Sequence, residues 1–223
     1  MAAEIIVIIS GVDNLLKGIS MKIYEAATAP NARRVRIFLH EKNIAGIEFV
    51  QMDILRGDNL TEAFKQKNPL AKIPILELDD GTVISESVAI CRYFEEINPE
   101  HPLMGSSPLE KAIIEQWQRR MELSLLMPTG MCFQHTSGYF KDRMNIVPDW
   151  GKECGENVKK FLAFLDKHLA SSEYIAGDSF SIADITALIT IDFNRVNNIR
   201  IADEQKNLKR WYDKVSSRPS AKA

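Results

Sequence analysis

Apolar and polar residues change rhythm several times along the first hundred positions. Residues 22–26 (KIYEA) alternate and predict a strand. From Pro30 and Asn31 the spacing becomes helical, with Val35, Phe38 and Leu39 on one face. Residues 47–52 (IEFVQM) read as a second strand and 60–67 as a short helix. Two further strands, 73–78 and 82–85, are joined at Asp79-Asp80-Gly81, a strong hairpin signal. A helix is expected over 86–97, where Ile90, Tyr93, Phe94 and Ile97 recur at helical spacing. The order is βαβαββα. The first two strands are joined through a helix, so they are expected to pair in parallel.

The rhythm breaks at NPEHPLMGSSP, residues 98–108, a cluster of proline, glycine and serine. Beyond it the pattern is helical throughout. Val158, Phe161, Leu162, Leu165 and Leu169 form one apolar stripe, and Leu208, Trp211, Tyr212 and Val215 form another. Ser181-Ile182-Ala183-Asp184 has the form of a capping box, with Asp184 able to take the Ser181 N–H. The chain therefore divides into a mixed α/β part over 21–98, a linker over 99–108 and an all-helical part over 109–223. Residues 1–20 stand apart as an N-terminal extension. Their apolar run at 5–9 is too short to span a bilayer, and no basic segment precedes it as in a secretory leader. Met21 reads as the natural start of the folded chain.

Composition narrows the function classes. The 28 basic and 30 acidic residues give a net charge of −2, with no footprint for nucleic acid or an anionic membrane. The three cysteines, Cys91, Cys132 and Cys154, form no Cys-x-x-Cys pair, which argues for a reducing, cytoplasmic setting. The four histidines show no metal-ligand spacing with them, so no metal is expected.

Pro74 is the residue out of place. It stands near the head of a predicted strand, although proline cannot donate to a sheet ladder. With it go four motifs in order: PNARRVRIFLHEK, NPLAKIPIL, ESVAICRYF and YIAGDSFSIADI. Together they resemble the cytosolic glutathione S-transferases over about residues 21–219. The first and last motifs look nearest to a bacterial and fungal branch. The resemblance implies a thioredoxin-like βαβαββα domain followed by an all-α domain. It implies a cis bond before Pro74, leaving the backbone of Ile73 open to an incoming peptide as an added strand would be. It also implies that Glu86 and Ser87, at a helix start, take the γ-glutamyl ammonium and carboxylate of glutathione. Plain capping of that helix by Ser85 or Ser87 is the simpler alternative. Asn59 and Lys72 are candidates for the glycyl carboxylate. Glutathione would serve as co-substrate, and a homodimer is expected.

The catalytic position departs from the family pattern. Where relatives place Tyr, Ser or Cys after the first strand, this chain has Ala29, which has no side-chain donor. Three substitutes present themselves. Thr28 stands one residue earlier, where it could equally cap the helix. Asn31 stands in the helix's first turn. The third is a water held by His135 with Thr136 or Ser137, which would donate to the thiolate or carry its proton away. An electrophile pocket between the domains would draw on Trp117, Met121, Leu125, Met127, Met131, Phe133 and Tyr139, with Met127 and Phe133 the chosen candidates. Most of the set is expected to be core. The function implied is conjugation of glutathione to small hydrophobic electrophiles. A glutathione-dependent peroxidase or disulfide reductase, or a non-catalytic glutathione-binding protein, are the alternatives.

Overall fold

A computed structural model describes residues 21–223; the expectations for residues 1–20 fall outside it. The chain forms two compact units, divided between His101 and Pro102.

The first unit is a four-stranded mixed sheet with helices. Its elements are β1 (Lys22–Glu25), α1 (Pro30–Glu41), β2 (Glu48–Gln51), a short 3-10 turn at Asp58–Leu60, α2 (Glu62–Lys67), β3 (Ile75–Glu77), β4 (Val83–Ser85) and α3 (Ser87–Ile97). The sheet order is β2-β1-β3-β4, with β1 parallel to β2 and antiparallel to β3. This is the expected βαβαββα order. Pro30 opens α1 at a first-turn position, where its missing N–H costs nothing and its fixed φ suits the helix. The core is made by Ile23, Val35, Phe38, Ile75, Leu76, Ile90 and Phe94, all fully buried. Each such side chain contributes about 1.5–3 kcal/mol relative to exposure.

Several charged residues are buried in this unit, among them Lys42 and Glu95. Lys42, at the C-cap of α1, directs Nζ to the Glu95 carboxylate at 3.0 Å and to the carbonyls of Glu100 and His101 at 2.6 and 3.3 Å. The ammonium is paired with a carboxylate and hydrogen-bonded to two carbonyls, the condition under which a buried lysine is tolerated.

The second unit is helical: α4 (Pro108–Arg120), a π-helical turn (Met121–Leu126), α5 (Met127–Thr136), α6 (Pro148–His168), α7 (Ile182–Phe193) and α8 (Lys206–Ser216), with short 3-10 turns at Asn194–Asn197 and Pro219–Lys222. The π turn runs directly into α5, whose second residue is Pro128. Proline cannot donate to the carbonyl four residues back, so the ladder widens there. Helices α5 and α6 pack closely because α6 has glycine at 151 and 155. A Cβ at 151 would stand 2.7 Å from Thr136 Cγ2, and one at 155 would stand 3.2 Å from Cys132 Sγ. Residues 103 and 104 are buried, and the Leu103 carbonyl accepts the Ile182 N–H at 3.0 Å.

Candidate functional site

Strand register brings the sequence's separate candidates to one end of the first unit's sheet. Tyr24 pairs with Ile75, Ile75 pairs with Ser85, and Glu25 pairs with Gln51. The last residues of β1, β2 and β4 therefore lie level with the first residue of β3. The loop at 26–29, the segment at 71–74 and the start of α3 all leave the sheet at this end.

The peptide bond between Ile73 and Pro74 is cis, as the resemblance implied. The β3 ladder begins only at Ile75, so Ile73 stands outside it. Among the described residues the Ile73 N–H and C=O make no hydrogen bond. Two asparagines hold this segment. Asn59 Nδ2 donates to the Ala71 carbonyl at 2.7 Å, and Asn68 Nδ2 donates to the Lys72 carbonyl at 2.8 Å. Ala71 itself is in the left-handed region at φ 54°. Asn59 is buried, with its Nδ2 engaged by the Ala71 carbonyl. Lys72 has an exposed side chain. Asn68 was missed, although an asparagine before proline in NPLAKIPIL is a turn signal.

Glu86 is the N-cap residue of α3, with φ 70° and ψ 114° and no side-chain cap. A non-glycine residue there is strained by about 1–3 kcal/mol, a cost commonly retained at functional sites. Neither Ser85 nor Ser87 caps the helix. Ser87 is buried, and its Oγ accepts from Arg34 Nη1 at 3.2 Å. The serine proton is thereby left to donate outward, and the guanidinium polarises it. Arg34 is 1% exposed and was also missed. Its signal was position: it stands four residues before Phe38 on the buried face of α1.

The start of α1 has no side-chain cap and no acidic residue in its first turn. Ala29 is its N-cap residue, so Thr28, which is exposed, does not cap it. The Arg33 N–H returns to the Ala29 carbonyl, while the N–H groups of Asn31 and Ala32 lie ahead of the helical ladder. The Asn31 side chain is half-buried and makes no hydrogen bond among the described residues.

Sequence and structure comparisons bear on this arrangement. Residues 23–102 match the glutathione S-transferase N-terminal domain and residues 150–219 the C-terminal domain. The chain is 34% identical over 205 residues to glutathione S-transferase 2 of Saccharomyces cerevisiae, covering 91% of this chain and 88% of that one. The chain belongs to the glutathione S-transferase family. A crystal structure of a class Gtt2 glutathione S-transferase from Vibrio parahaemolyticus superposes with a TM-score of 0.78 at 41% identity, covering 89% of this chain and 94% of that one. A probable elongation factor 1-gamma of Arabidopsis thaliana is 31% identical over 193 residues, 81% of this chain but 44% of its own length.

The transferase family's helical domain corresponds to the second unit, where the other candidates lie. His135 Nδ1 accepts the Val147 N–H at 3.1 Å, ahead of α6. An accepting Nδ1 puts the neutral imidazole's proton on Nε2, so Nε2 can donate but cannot take a proton. Of the two roles expected of a His135-held water, donation to the thiolate is the one that needs only this Nε2–H. The Thr136 hydroxyl donates to the Cys132 carbonyl at 2.7 Å, and Ser137 Oγ accepts the Tyr139 N–H at 3.1 Å. Trp117, Met121 and Leu125 are buried core residues, three of the seven apolar candidates and fewer than expected. Met127 is about half exposed. Phe133 sits in a ring cluster with Tyr139, Phe140 and Phe193, at centroid distances of 5.3, 6.2 and 5.3 Å. All three cysteines are buried, and burial raises the Cys132 and Cys154 thiols, so neither is a ready nucleophile. Among the described residues no group of metal ligands is found, and no helix is long and apolar enough to cross a membrane.

Proposed function

We propose that the chain is a glutathione transferase that joins the glutathione thiolate to small hydrophobic electrophiles. The observation that carries this reading is the register that gathers Ile73, Ser87 and the start of α1 at one sheet end. Ile73 supplies a free backbone N–H and C=O for the cysteinyl part of a peptide. The Ser87 hydroxyl, polarised by Arg34, supplies a donor for the γ-glutamyl carboxylate at a helix N-terminus. Glu86 is the acceptor for the adjacent ammonium, and Lys72 is the cation for the glycyl carboxylate.

The chemistry needs a thiolate. A free thiol with pKa about 8.5 is a few per cent ionised at neutral pH, and lowering it by about two units takes roughly 2.7 kcal/mol. With alanine at position 29, the donors are the N–H groups of the first turn of α1 and the Asn31 amide, aided by the helix dipole. His135 Nε2–H, acting through a water, belongs to the same proposal as a donor. The proton leaves to solvent. The thiolate sulfur then bonds to the electrophilic carbon, whose leaving group departs with the bonding pair. Met127 and Phe133 are the proposed apolar contacts for the electrophile. A homodimer and a cytoplasmic location go with this reading.

A second reading has its own support. Ala29, together with the likeness to an elongation factor 1-gamma, favours a glutathione-binding protein without turnover. Titration calorimetry with glutathione in two buffers of different ionisation enthalpy separates them. Saturable binding with proton release supports the transferase; binding without release supports the holding protein; no binding refutes both. Turnover of a halonitroarene, as against a hydroperoxide or mixed disulfide, then separates conjugation from peroxidase or reductase activity.

A further inference from the structure

We infer that Glu25, Arg36 and Gln51 form a clamp of positioning residues that aims the first turn of α1 at the thiol, an inference that rests on the glutathione reading above. The three residues come from three elements and meet at one residue, Ala27. Arg36, in the second turn of α1, sends Nη1 to both Glu25 carboxylate oxygens at 2.7 and 2.8 Å and Nη2 to the Ala27 carbonyl at 2.7 Å. Gln51, level with Glu25 across the parallel pair, donates from Nε2 to Glu25 Oε1 at 2.9 Å. Its Oε1 accepts the Ala27 N–H at 3.1 Å. Both backbone groups of Ala27 are therefore held, and both holders are oriented by the same carboxylate. The Glu25 side chain is 2% exposed and that of Arg36 is 18% exposed. The next residues are Thr28 and Ala29, and the Ala29 N–H closes a turn onto the Ala26 carbonyl at 2.9 Å.

The clamp matters here because of what stands at position 29. A tyrosine or serine hydroxyl can rotate to follow a sulfur atom. Backbone N–H groups cannot; their aim is fixed by the path of the chain into the helix, and hydrogen bonds weaken steeply as they bend. A chain that stabilises a thiolate with backbone donors needs its β1–α1 loop held rigidly. The Glu25–Arg36 pair does this without adding net charge beside the thiolate, since a carboxylate alone would oppose ionisation.

The test uses the full chain and two variants that keep its charge. Arg36→Lys retains the cation but replaces the guanidinium fork, whose Nη1 and Nη2 reach Glu25 and Ala27 separately, with a single Nζ. Gln51→Met removes the amide at an exposed position of similar volume, where folding tolerates the change. Two quantities are measured: the pKa of bound glutathione from its ultraviolet thiolate absorbance, and the affinity for S-methylglutathione, which has no proton to lose. Each variant is expected to raise the bound thiol's pKa by about one unit, and so to lower kcat/KM below that pKa about tenfold. S-methylglutathione affinity should change less than about twofold, and the double variant should shift the pKa no further than the larger single one, as for parts of one unit. An unchanged pKa in both variants, with ionisation intact in the parent, overturns the clamp and leaves the glutathione reading standing. Equal loss of S-methylglutathione affinity also overturns it, because the residues would then merely support the fold. Failure of the parent to ionise glutathione overturns the glutathione reading and the clamp with it.

Discussion

Replacing Asp184 by alanine should unfold the helical unit far more readily than any other single change to a polar residue there. The carboxylate is fully buried and takes four donors. Oδ1 accepts the Ile175 N–H at 2.9 Å and the Trp211 Nε1–H at 2.8 Å. Oδ2 accepts the Ser181 N–H at 2.9 Å and the Ser181 hydroxyl at 3.1 Å. The hydroxyl can turn to another acceptor, but the three N–H groups belong to residues with no exposure. An orphaned buried donor costs about 1–3 kcal/mol, so the alanine variant should lose roughly 3–9 kcal/mol. That is a large part of the 5–15 kcal/mol typical of a domain. The loss should also depend on pH. Burial raises the Asp184 carboxyl from 3.8 to about 6, against the four donors, which lower it. A folded-state pKa above the unfolded one gives stability that is fully present below about 4 and is lost as pH rises through about 6. The swing is about 3 kcal/mol. The parent's advantage over Asp184→Ala should therefore be larger near pH 4 than near pH 7, by about that amount. Urea unfolding followed by tryptophan fluorescence reads this unit directly, since Trp117, Trp150 and Trp211 all lie in it. A loss below about 1 kcal/mol, or a difference that does not change with pH, would refute the reasoning.

Other changes test other parts. Ser87→Ala should weaken glutathione binding about tenfold or more, the worth of a hydrogen bond to a charged group, and should destabilise the first unit by about 1–3 kcal/mol because it takes an acceptor from the buried Arg34; calorimetry on the folded variant decides. Lys42→Met should destabilise the first unit by about 3–5 kcal/mol by taking the ammonium from the buried Glu95, and Lys42→Met with Glu95→Gln should recover much of it. Hydrogen exchange of α1 and α3 amides reports the effect in a unit without tryptophan. His135→Asn keeps an acceptor near Nδ1 for the Val147 N–H, while His135→Gln places an amide near Nε2. Turnover surviving in Gln but not Asn, with the order reversed in thermal stability, would assign Nε2 to the reaction. Turnover tracking stability in both would confine His135 to its contact with Val147.

The fold could be read from the chain because its signals were local. Strand alternation, the Asp79-Asp80-Gly81 turn and the apolar stripes each span a few residues, and short-range rules suffice for them. Pro74 was legible because proline restricts its own backbone. The second layer of the site was not. Arg34, Glu25, Arg36 and Gln51 are ordinary charged and polar residues in sequence, and their roles arise from partners as far apart as Arg34 and Ser87. Asn59 was picked for its polarity, and nothing local showed that its amide would be consumed by Ala71. The direction of His135 depended on Val147, in a turn without a strong pattern. Residues whose work is set by long-range hydrogen bonds leave no periodic trace.

The β3–β4 hairpin leaves the sheet at the opposite end from Ile73 and Ser87. Asp79, Asp80 and Gly81 are exposed at its tip, and Gly81, at φ 83°, would meet nothing within 4 Å if a Cβ were added. The strands between are three residues long, about 10 Å of extended chain. That tip is the place to attach a fluorophore, an affinity handle or a surface tether: cargo joined there hangs from the far rim of the sheet and leaves the approach of a peptide to Ile73 unobstructed.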